Sequence, residues 1–176
     1  MRVAIPLVLV VAGALVAFVA TRPPRFHVER SATIAAPSAT IFPTIADFHR
    51  WTAWSPWEKI DPDMQRSYDG PPSSVGAAYR WSGNSKVGAG SMRIMDATPN
   101  QRVAIALEFL KPFKASNTAT FTLVPAGSGT RVTWAMDGDN TLVAKVMSLF
   151  FSMDSMIGGE FEKGLATLKD VAERSA

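Results

Sequence analysis

From Met64 to Asp137 the sequence alternates between apolar and polar side chains, and five short turn signals interrupt the alternation. Side chains alternate in this way along a strand that buries one face. The interruptions delimit six predicted strands, at residues 64–69, 76–82, 87–96, 102–110, 117–124 and 130–137. Because parallel neighbours need a long crossover, connections this short predict an antiparallel sheet.

Two further segments precede this region. Phe26–Ile34 also alternates and is predicted as a strand, which brings the sheet to seven strands. Ala36-Pro37-Ser38 then begins a short helix, with proline in the first turn. Residues 51–57 are predicted as a second short helix or turn.

The region after the sheet is predicted to be one long helix, from Asn140 to Ser175, capped by Asp139 or Asn140. Its second half carries apolar residues at helical spacing. The pair Gly158-Gly159 is expected to kink or loosen this helix. Strands in one region and helices in others place the chain in the α+β class.

The N-terminus carries a different signal, an uncharged run from Val3 to Ala20. As a helix this run would measure about 27 Å, enough to cross a thin hydrocarbon core. A cleaved signal peptide is the alternative, but cleavage after Ala20 would put Phe18 where a small residue is needed. Residues 1–25 are therefore predicted to be a transmembrane anchor and stop segment, and residues 26–176 a folded domain. The short head and long tail favour a single-pass protein with its domain outside the cytoplasm.

Charge is distributed unevenly between these two parts. The chain has 18 Lys and Arg against 15 Asp and Glu, and the surplus consists of Arg2, Arg22 and Arg25 beside the apolar run. The folded domain has no net charge, whereas a protein that binds nucleic acid needs cations on the domain that meets phosphate. Nucleic acid is therefore excluded as a partner.

Motifs of catalysis are absent from the sequence. There is no cysteine, no nucleophile elbow and no phosphate-binding glycine loop. His27 and His49 lack metal-ligand spacing, and Asp137 and Asp139 are either an acid–base pair or a turn and helix cap. No catalytic residue, metal ligand or cofactor is assigned, and enzymatic activity remains open.

Several segments resemble the START-like superfamily, also called SRPBCC, which includes polyketide cyclase/dehydrase and lipid-transport proteins. They are FHVERSATIAAPSATIF (26–42), ADFHRWTAWSPWE (46–58), GAAYRWSGN (76–84), GTRVTWAMDG (129–138) and FEKGLATLK (161–169). The resemblance implies a helix-grip fold, in which a curved seven-stranded sheet surrounds a long C-terminal helix. It also implies a cavity for a hydrophobic ligand between the sheet and the helix.

The alternation then indicates which side chains would face such a cavity, although core packing is the alternative for each of them. The candidate ligand-binding residues are Tyr79, Trp81, Met92, Ile94, Leu107, Phe109, Phe121, Trp134, Met136, Phe150, Met153 and Phe161. A tryptophan cluster is a candidate gate at the cavity mouth or, alternatively, packs over the sheet edge; it consists of Trp51, Trp54 and Trp57.

Three functions fit this interpretation. The first is membrane-tethered binding or transfer of a lipid-like or aromatic small molecule, with residues 3–20 in the bilayer. The second is a cyclase-like or hydratase-like enzyme, which needs ionisable groups in the cavity. The third is a protein-interaction module, such as a chaperone-assisting domain, which needs a filled core and an apolar groove.

Overall fold

A curved antiparallel sheet of seven strands forms the framework of the domain. The computed structural model describes residues 13, 17–19, 21–140, 142–147 and 152–176. Along the sheet the strand order is β1-β7-β6-β5-β4-β3-β2. The strands are β1 (Arg25–Ile34), β2 (Gln65–Asp69), β3 (Ala78–Ser82), β4 (Ala89–Thr98), β5 (Arg102–Lys111), β6 (Ala115–Ala126) and β7 (Gly129–Asp139).

This sheet confirms the predicted fold class and strand count. The ends of the six predicted meander strands agree with the observed ends to within two residues. Consecutive hairpins join β2 to β7, and β1 pairs with β7 along its whole length, from Arg25 opposite Asp139 to Ile34 opposite Thr130. The sheet therefore has β1 and β2 at its two edges.

Strand β4 carries the irregularities expected of a curled sheet. Its pairing with β5 shifts register between Ala89 and Gly90 and again between Ile94 and Asp96. A side chain at Gly90 would overlap both the carbonyl oxygen of Glu108 and the ring of Trp81. Glycine at this position lets the Trp81 ring lie directly over the strand.

Helical segments lie before β2 and after β7, and those at residues 38–59 and 153–173 cover the concave face of the sheet. Two 3₁₀ helices, η1 and η2, follow the first α-helix. The segments are α1 (Ser38–Ala46), η1 (Phe48–Ala53), η2 (Pro56–Lys59), α2 (Leu142–Met147) and α3 (Met153–Glu173). The two 3₁₀ helices occupy the stretch that was predicted as a second short helix or turn.

The prediction of one continuous helix from Asn140 to Ser175 was wrong, because the structure has two helices there, α2 and α3, and the glycine pair does not separate them. Helix α3 begins at Met153, because Ser152 adopts an extended conformation and its hydroxyl oxygen accepts from the amide of Ser155 at 3.0 Å. The pair Gly158-Gly159 lies inside α3 without ending it. A side chain at Gly158 would overlap the guanidinium group of Arg30, so this glycine is needed for close packing.

Arg30 of β1 joins the sheet to α3 through two carboxylates on one face of the helix. Its Nη1 and Nη2 lie 2.8 and 2.9 Å from the carboxylate of Asp154, and its Nε lies 2.7 Å from Glu162. Asp154, Gly158 and Glu162 are spaced by four residues, so they share one face of α3. The guanidinium group therefore lies along that face.

Close packing of α3 against the aromatic core leads to a stability prediction at Gly164. A Cβ atom there would lie 2.8 Å from the ring of Trp134 and 3.0 Å from Pro56. We expect Gly164→Ala to lower the free energy of unfolding by about 1–3 kcal/mol, because the helix would have to move away from the core. Urea unfolding measures the change.

Gly159 of the same helix is the matched control. A Cβ atom there would meet nothing within 4 Å. Gly159→Ala is expected to raise the free energy of unfolding by up to about 1 kcal/mol through helix propensity alone. Equal effects of the two substitutions would contradict the proposed packing role of Gly164.

The apolar run predicted to cross a membrane, residues 3–20, lies largely outside the described residues. Within the residues that are described, no helix has the length and hydropathy needed to span a bilayer.

Candidate ligand-binding cavity

A cavity of about 290 Å³ lies between the concave face of the sheet and the helices η1, η2 and α3. Pockets for small molecules commonly start near this volume. Aromatic, methionine and small aliphatic side chains form most of the wall, which also includes the polar residues Ser55, Glu58, Tyr79 and Asn117.

Strand register arranges the sheet side of the wall in rows. The first row pairs Trp81, Gly90, Phe109 and Ala115 across four neighbouring strands. The second row, two residues further along each strand, consists of Tyr79, Met92, Leu107 and Asn117. Deeper in the sheet only β6 and β7 reach the cavity, through Ala119, Met136 and Trp134. The cavity therefore narrows from the first row towards Trp134.

Burial shows which end of the cavity is open. In the first row Trp81, Phe109 and Ala115 are partly exposed, whereas Leu107 and Tyr79 of the second row are buried. Met153 and Ile157, at the start of α3, are partly exposed beside the first row. In the wall formed by the described residues, the opening therefore lies at the end of the sheet where β5 ends and β6 begins.

The closed end consists of stacked and edge-on aromatic rings. Trp134 is 2% exposed, and its ring stacks on Phe161 with centroids 4.1 Å apart and planes at 10°. Trp51 meets the same ring edge-on at 6.3 Å. Among the described residues, the indole Nε1 of Trp134 has no hydrogen-bond partner.

A buried carboxylate, Glu58 of η2, lies in the cavity wall at the level of the second row. Glu58 is 8% exposed, and its Oε1 accepts a hydrogen bond of 2.6 Å from the hydroxyl of Tyr79. Its Oε2 accepts one of 2.7 Å from Nε of Arg66, which also forms an ion pair with it. Neither Glu58 nor Arg66 was among the residues predicted from the sequence.

These surroundings affect the ionisation of Tyr79. Burial, followed by the hydrogen bond to Glu58, raises the pKa of the Tyr79 phenol well above its ordinary value. The phenol therefore keeps its proton at physiological pH. It remains a donor to Glu58, while its oxygen can still accept a hydrogen bond.

A family model described as "Polyketide cyclase / dehydrase and lipid transport" matches residues 25–173, almost the whole of the domain that holds the cavity. The chain belongs to this family. Membership of the polyketide cyclase/dehydrase and lipid transport family indicates a hydrophobic small-molecule ligand, in agreement with the apolar wall of the cavity. No curated protein matches the sequence.

Solved structures share the fold of this family member at low sequence identity. Protein CV1439 from Chromobacterium violaceum is 14% identical, with 86% of this chain and 99% of that chain covered and a TM-score of 0.60. The Aha1 dimer from Colwellia psychrerythraea is 16% identical, with coverages of 84% and 96% and a TM-score of 0.54. DynU16, from the dynemicin biosynthetic locus, is 16% identical, with coverages of 84% and 47% and a TM-score of 0.58. These similarities show the fold alone.

Most of the residues predicted to line a cavity do lie in the wall of the observed cavity. They are Tyr79, Trp81, Met92, Leu107, Phe109, Trp134, Met136 and Met153. Ile94, Phe121 and Phe161 lie in the packed core instead, and Phe150 lies outside the described residues. Alternation identifies the inward face of a strand but not how far along the strand the cavity extends.

The tryptophan cluster is divided between the wall and the core. Trp51 and Trp57 line the cavity, whereas Trp54 is completely buried and does not. The indole nitrogens of Trp51 and Trp54 donate to the carbonyl oxygens of Ile45 and Thr44, at 2.9 and 3.2 Å. These bonds fix both rings to the end of α1 at the closed end of the cavity, so the predicted position at the mouth was wrong for Trp51 and Trp54.

The remaining titratable residues considered in the sequence lie away from the cavity. Nδ1 of His27 lies 2.8 Å from the carboxylate of Asp137 on the sheet surface, and Asp139 pairs with Arg25. Nδ1 of His49 lies 3.0 Å from Asp47. Within the described ranges, no group of three or more His, Cys, Asp or Glu side chains could hold a metal ion.

Proposed function

We propose that the protein binds a hydrophobic small molecule in this cavity, for storage or transfer, beside a membrane to which residues 3–20 tether it. The observation that supports this most directly is the position of the opening. It lies at the same end of the sheet as the start of β1, where the N-terminal segment joins the domain.

Contacts of the residues just before β1 support a tether near the opening. The amide of Asn140 donates to the carbonyl oxygen of Pro24 at 2.7 Å, and its side-chain Nδ2 donates to that of Pro23 at 3.2 Å. From Ala20 to Arg25 the chain can span at most about 18 Å. A membrane segment that ends at Ala20 would therefore keep the opening close to the bilayer. We place the domain on the extracytoplasmic side, as a short head before a long folded tail suggests.

The hairpin tip between β5 and β6 supports the same orientation. Leu110 and Phe113 are 56% and 63% exposed at this tip, and Lys111 and Lys114 lie beside them in sequence. Apolar side chains flanked by lysines suit the interface of an anionic bilayer, which Leu110 and Phe113 can enter while the lysine amines contact headgroups. The tip adjoins Phe109 and Ala115 of the first row, so its insertion would direct the opening towards lipid.

Ligand binding can be tested with a variant that fills the cavity. Ala119 lines the wall at depth and is 3% exposed, so Ala119→Phe should occupy the ligand volume. We expect the full chain, purified in detergent, to carry a bound hydrophobic molecule in native mass spectrometry and to bind N-phenyl-1-naphthylamine saturably. Both properties should be lost in Ala119→Phe.

Thr118→Phe is the matched control, because Thr118 is exposed on the opposite face of the same strand. This variant should bind the dye as the wild type does. Absence of a bound molecule and of saturable dye uptake in the wild type would contradict the proposed function, as would equal binding by Ala119→Phe.

The orientation on the membrane can be tested by labelling, since the chain contains no cysteine. Phe113→Cys and Val124→Cys each give a single labelling site; Val124 is 52% exposed near the opposite end of β6. In vesicles of phosphatidylcholine and phosphatidylserine, doxyl-labelled lipid should quench a nitrobenzoxadiazole label at residue 113 but not at residue 124. Equal quenching at the two sites would contradict this orientation. Digestion of the domain by protease added outside sealed cells tests whether it lies on the extracytoplasmic side.

A cyclase-like or hydratase-like enzyme is the second candidate, because Glu58 brings to the cavity wall a carboxylate that can accept a proton from a ligand. Incubation of the ligand identified by mass spectrometry with the wild type and with Glu58→Gln tests it. A product formed only by the wild type would support catalysis. An unchanged ligand in both would favour binding without turnover.

A further inference from the structure

Glu58 is the one charged residue in the cavity wall formed by the described residues, and it lies among rings and aliphatic side chains. We propose that Glu58 and Tyr79 are specificity-determining residues that accept a hydrogen bond from a neutral ligand carrying an O–H or N–H donor, and that they exclude carboxylates such as fatty-acid anions. This inference rests on the proposed binding function and names the chemical class of its ligand.

The hydrogen bonds already made by Glu58 leave it able to accept more. An ionised carboxylate has about four acceptor sites, and Glu58 uses one on Oε1 for Tyr79 and one on Oε2 for Arg66. The Tyr79 hydroxyl donates its only proton to Glu58. Its oxygen can therefore only accept a hydrogen bond from a ligand. At the second row, these two groups therefore offer acceptors and no donor.

The cation that balances Glu58 is held by backbone carbonyl oxygens as well as by the carboxylate. Nη1 of Arg66 donates to the carbonyl oxygen of Met64 at 2.6 Å, and Nη2 donates to that of Glu58 at 3.4 Å. Arg66 is not part of the cavity wall, and none of the described residues that form the wall is basic. A bound carboxylate would thus meet a like charge in an apolar pocket without a cation beside it, which is strongly unfavourable.

Volume limits the size of the ligand. The cavity volume of about 290 Å³ is close to the lower end of the range for small-molecule pockets. A ten-carbon chain or a small ring system matches this volume, whereas a diacyl lipid exceeds it. The polar group of such a ligand would lie at the second row, with its apolar part directed towards Trp134.

Competition with N-phenyl-1-naphthylamine on the detergent-purified full chain can test this proposal. The competitors are 1-decanol and decanoate at pH 8.5, measured on the wild type and on Glu58→Gln. Each competitor partitions into the micelles to the same extent in both samples. Micellar partition therefore cancels in the ratio of its apparent affinities for the wild type and for Glu58→Gln. We expect the preference for decanol over decanoate to fall about tenfold in Glu58→Gln, as the loss of a charged hydrogen-bond acceptor implies.

Glu108→Gln is the matched control, because Glu108 is exposed on the outer face of β5 and its loss changes the net charge equally. It should leave the preference unchanged. An unchanged preference in a folded Glu58→Gln would overturn the assignment, while failure of both competitors and the dye on the wild type would overturn the binding function itself.

A second measurement needs only the wild type, should Glu58→Gln fail to fold. The methyl ether of 1-decanol has the same chain but lacks the hydroxyl donor. After correction for the micellar partition of each compound, we expect decanol to displace the dye at about a tenfold lower concentration than its ether. Equal corrected affinities would show that neither Glu58 nor Tyr79 receives a hydrogen bond from the ligand, which overturns the proposal.

Discussion

Trp134→Ala is expected to lower the free energy of unfolding by about 3–5 kcal/mol, one of the largest effects of any single substitution in this domain. The Trp134 ring stacks on Phe161 at 4.1 Å and contacts Phe121 at 4.8 Å. Trp54 and Trp57 meet it edge-on, each with centroids 5.5 Å away. Truncation would leave a void among these four rings and the ring of Trp51. Other contacts hold all five rings in place, so the core could not collapse to fill the void.

Trp134→Phe separates the loss of volume from the loss of the indole nitrogen. Because Nε1 of Trp134 has no partner among the described residues, its removal breaks no hydrogen bond within them, and the smaller ring should retain most of the stacking. We expect a cost well below that of the alanine variant, measured by urea unfolding. If Trp134→Ala cost less than about 1 kcal/mol, the ring would belong to a solvated wall rather than to the core.

Arg66→Met is expected to lower the free energy of unfolding by about 3 kcal/mol, because it leaves the Glu58 carboxylate buried without its cation. The side chain of Glu58 is 6% exposed and that of Arg66 22% exposed, so solvent screens their ion pair only weakly. Methionine keeps most of the aliphatic volume of arginine. The effect therefore reports on charge rather than on packing.

The double variant Glu58→Met with Arg66→Met is the matching control for that prediction. With both charges removed, the double variant is expected to be more stable than Arg66→Met alone, since a well-packed apolar pair can replace a buried ion pair. Thermal or urea unfolding of the four proteins gives the coupling energy between the two residues. If the effects of the two substitutions on the free energy of unfolding simply added, the two charges would not be coupled. That result would mean that water reaches the carboxylate and that the ion pair is not buried in solution.

The sheet could be predicted from the sequence because its signals are local. Tyr79 and Trp81 alternate with Arg80, and the turn residues between strands are glycine, proline and asparagine. Such features depend on neighbours within a few residues, and the structure places the alternating apolar residues inward as expected. The second half of the last helix was predictable for the same reason, since Phe161, Leu165, Leu168 and Ala172 follow helical spacing and are all buried.

Features that depend on distant partners could not be predicted in this way. Glu58 is separated from Tyr79 by 21 residues in the chain, and no local pattern indicates their contact. Arg66 did offer a signal, since alternation in β2 places it on the same face as Tyr68, and an inward arginine requires an acidic partner. The depth of the cavity likewise follows from how whole elements meet.

The pairing of β1 with β7 has a consequence for the order in which the chain acquires its structure. Thr130 to Asp139 must leave the ribosome before β1 has a neighbour, and loops of this length slow folding because their closure is entropically costly. Until then the first strand to be synthesised has an unpaired edge that can attach to other chains. The cavity therefore cannot form until β7 and α3 have been translated, and a chain that terminates before β7 would expose the edge of β1 and tend to aggregate.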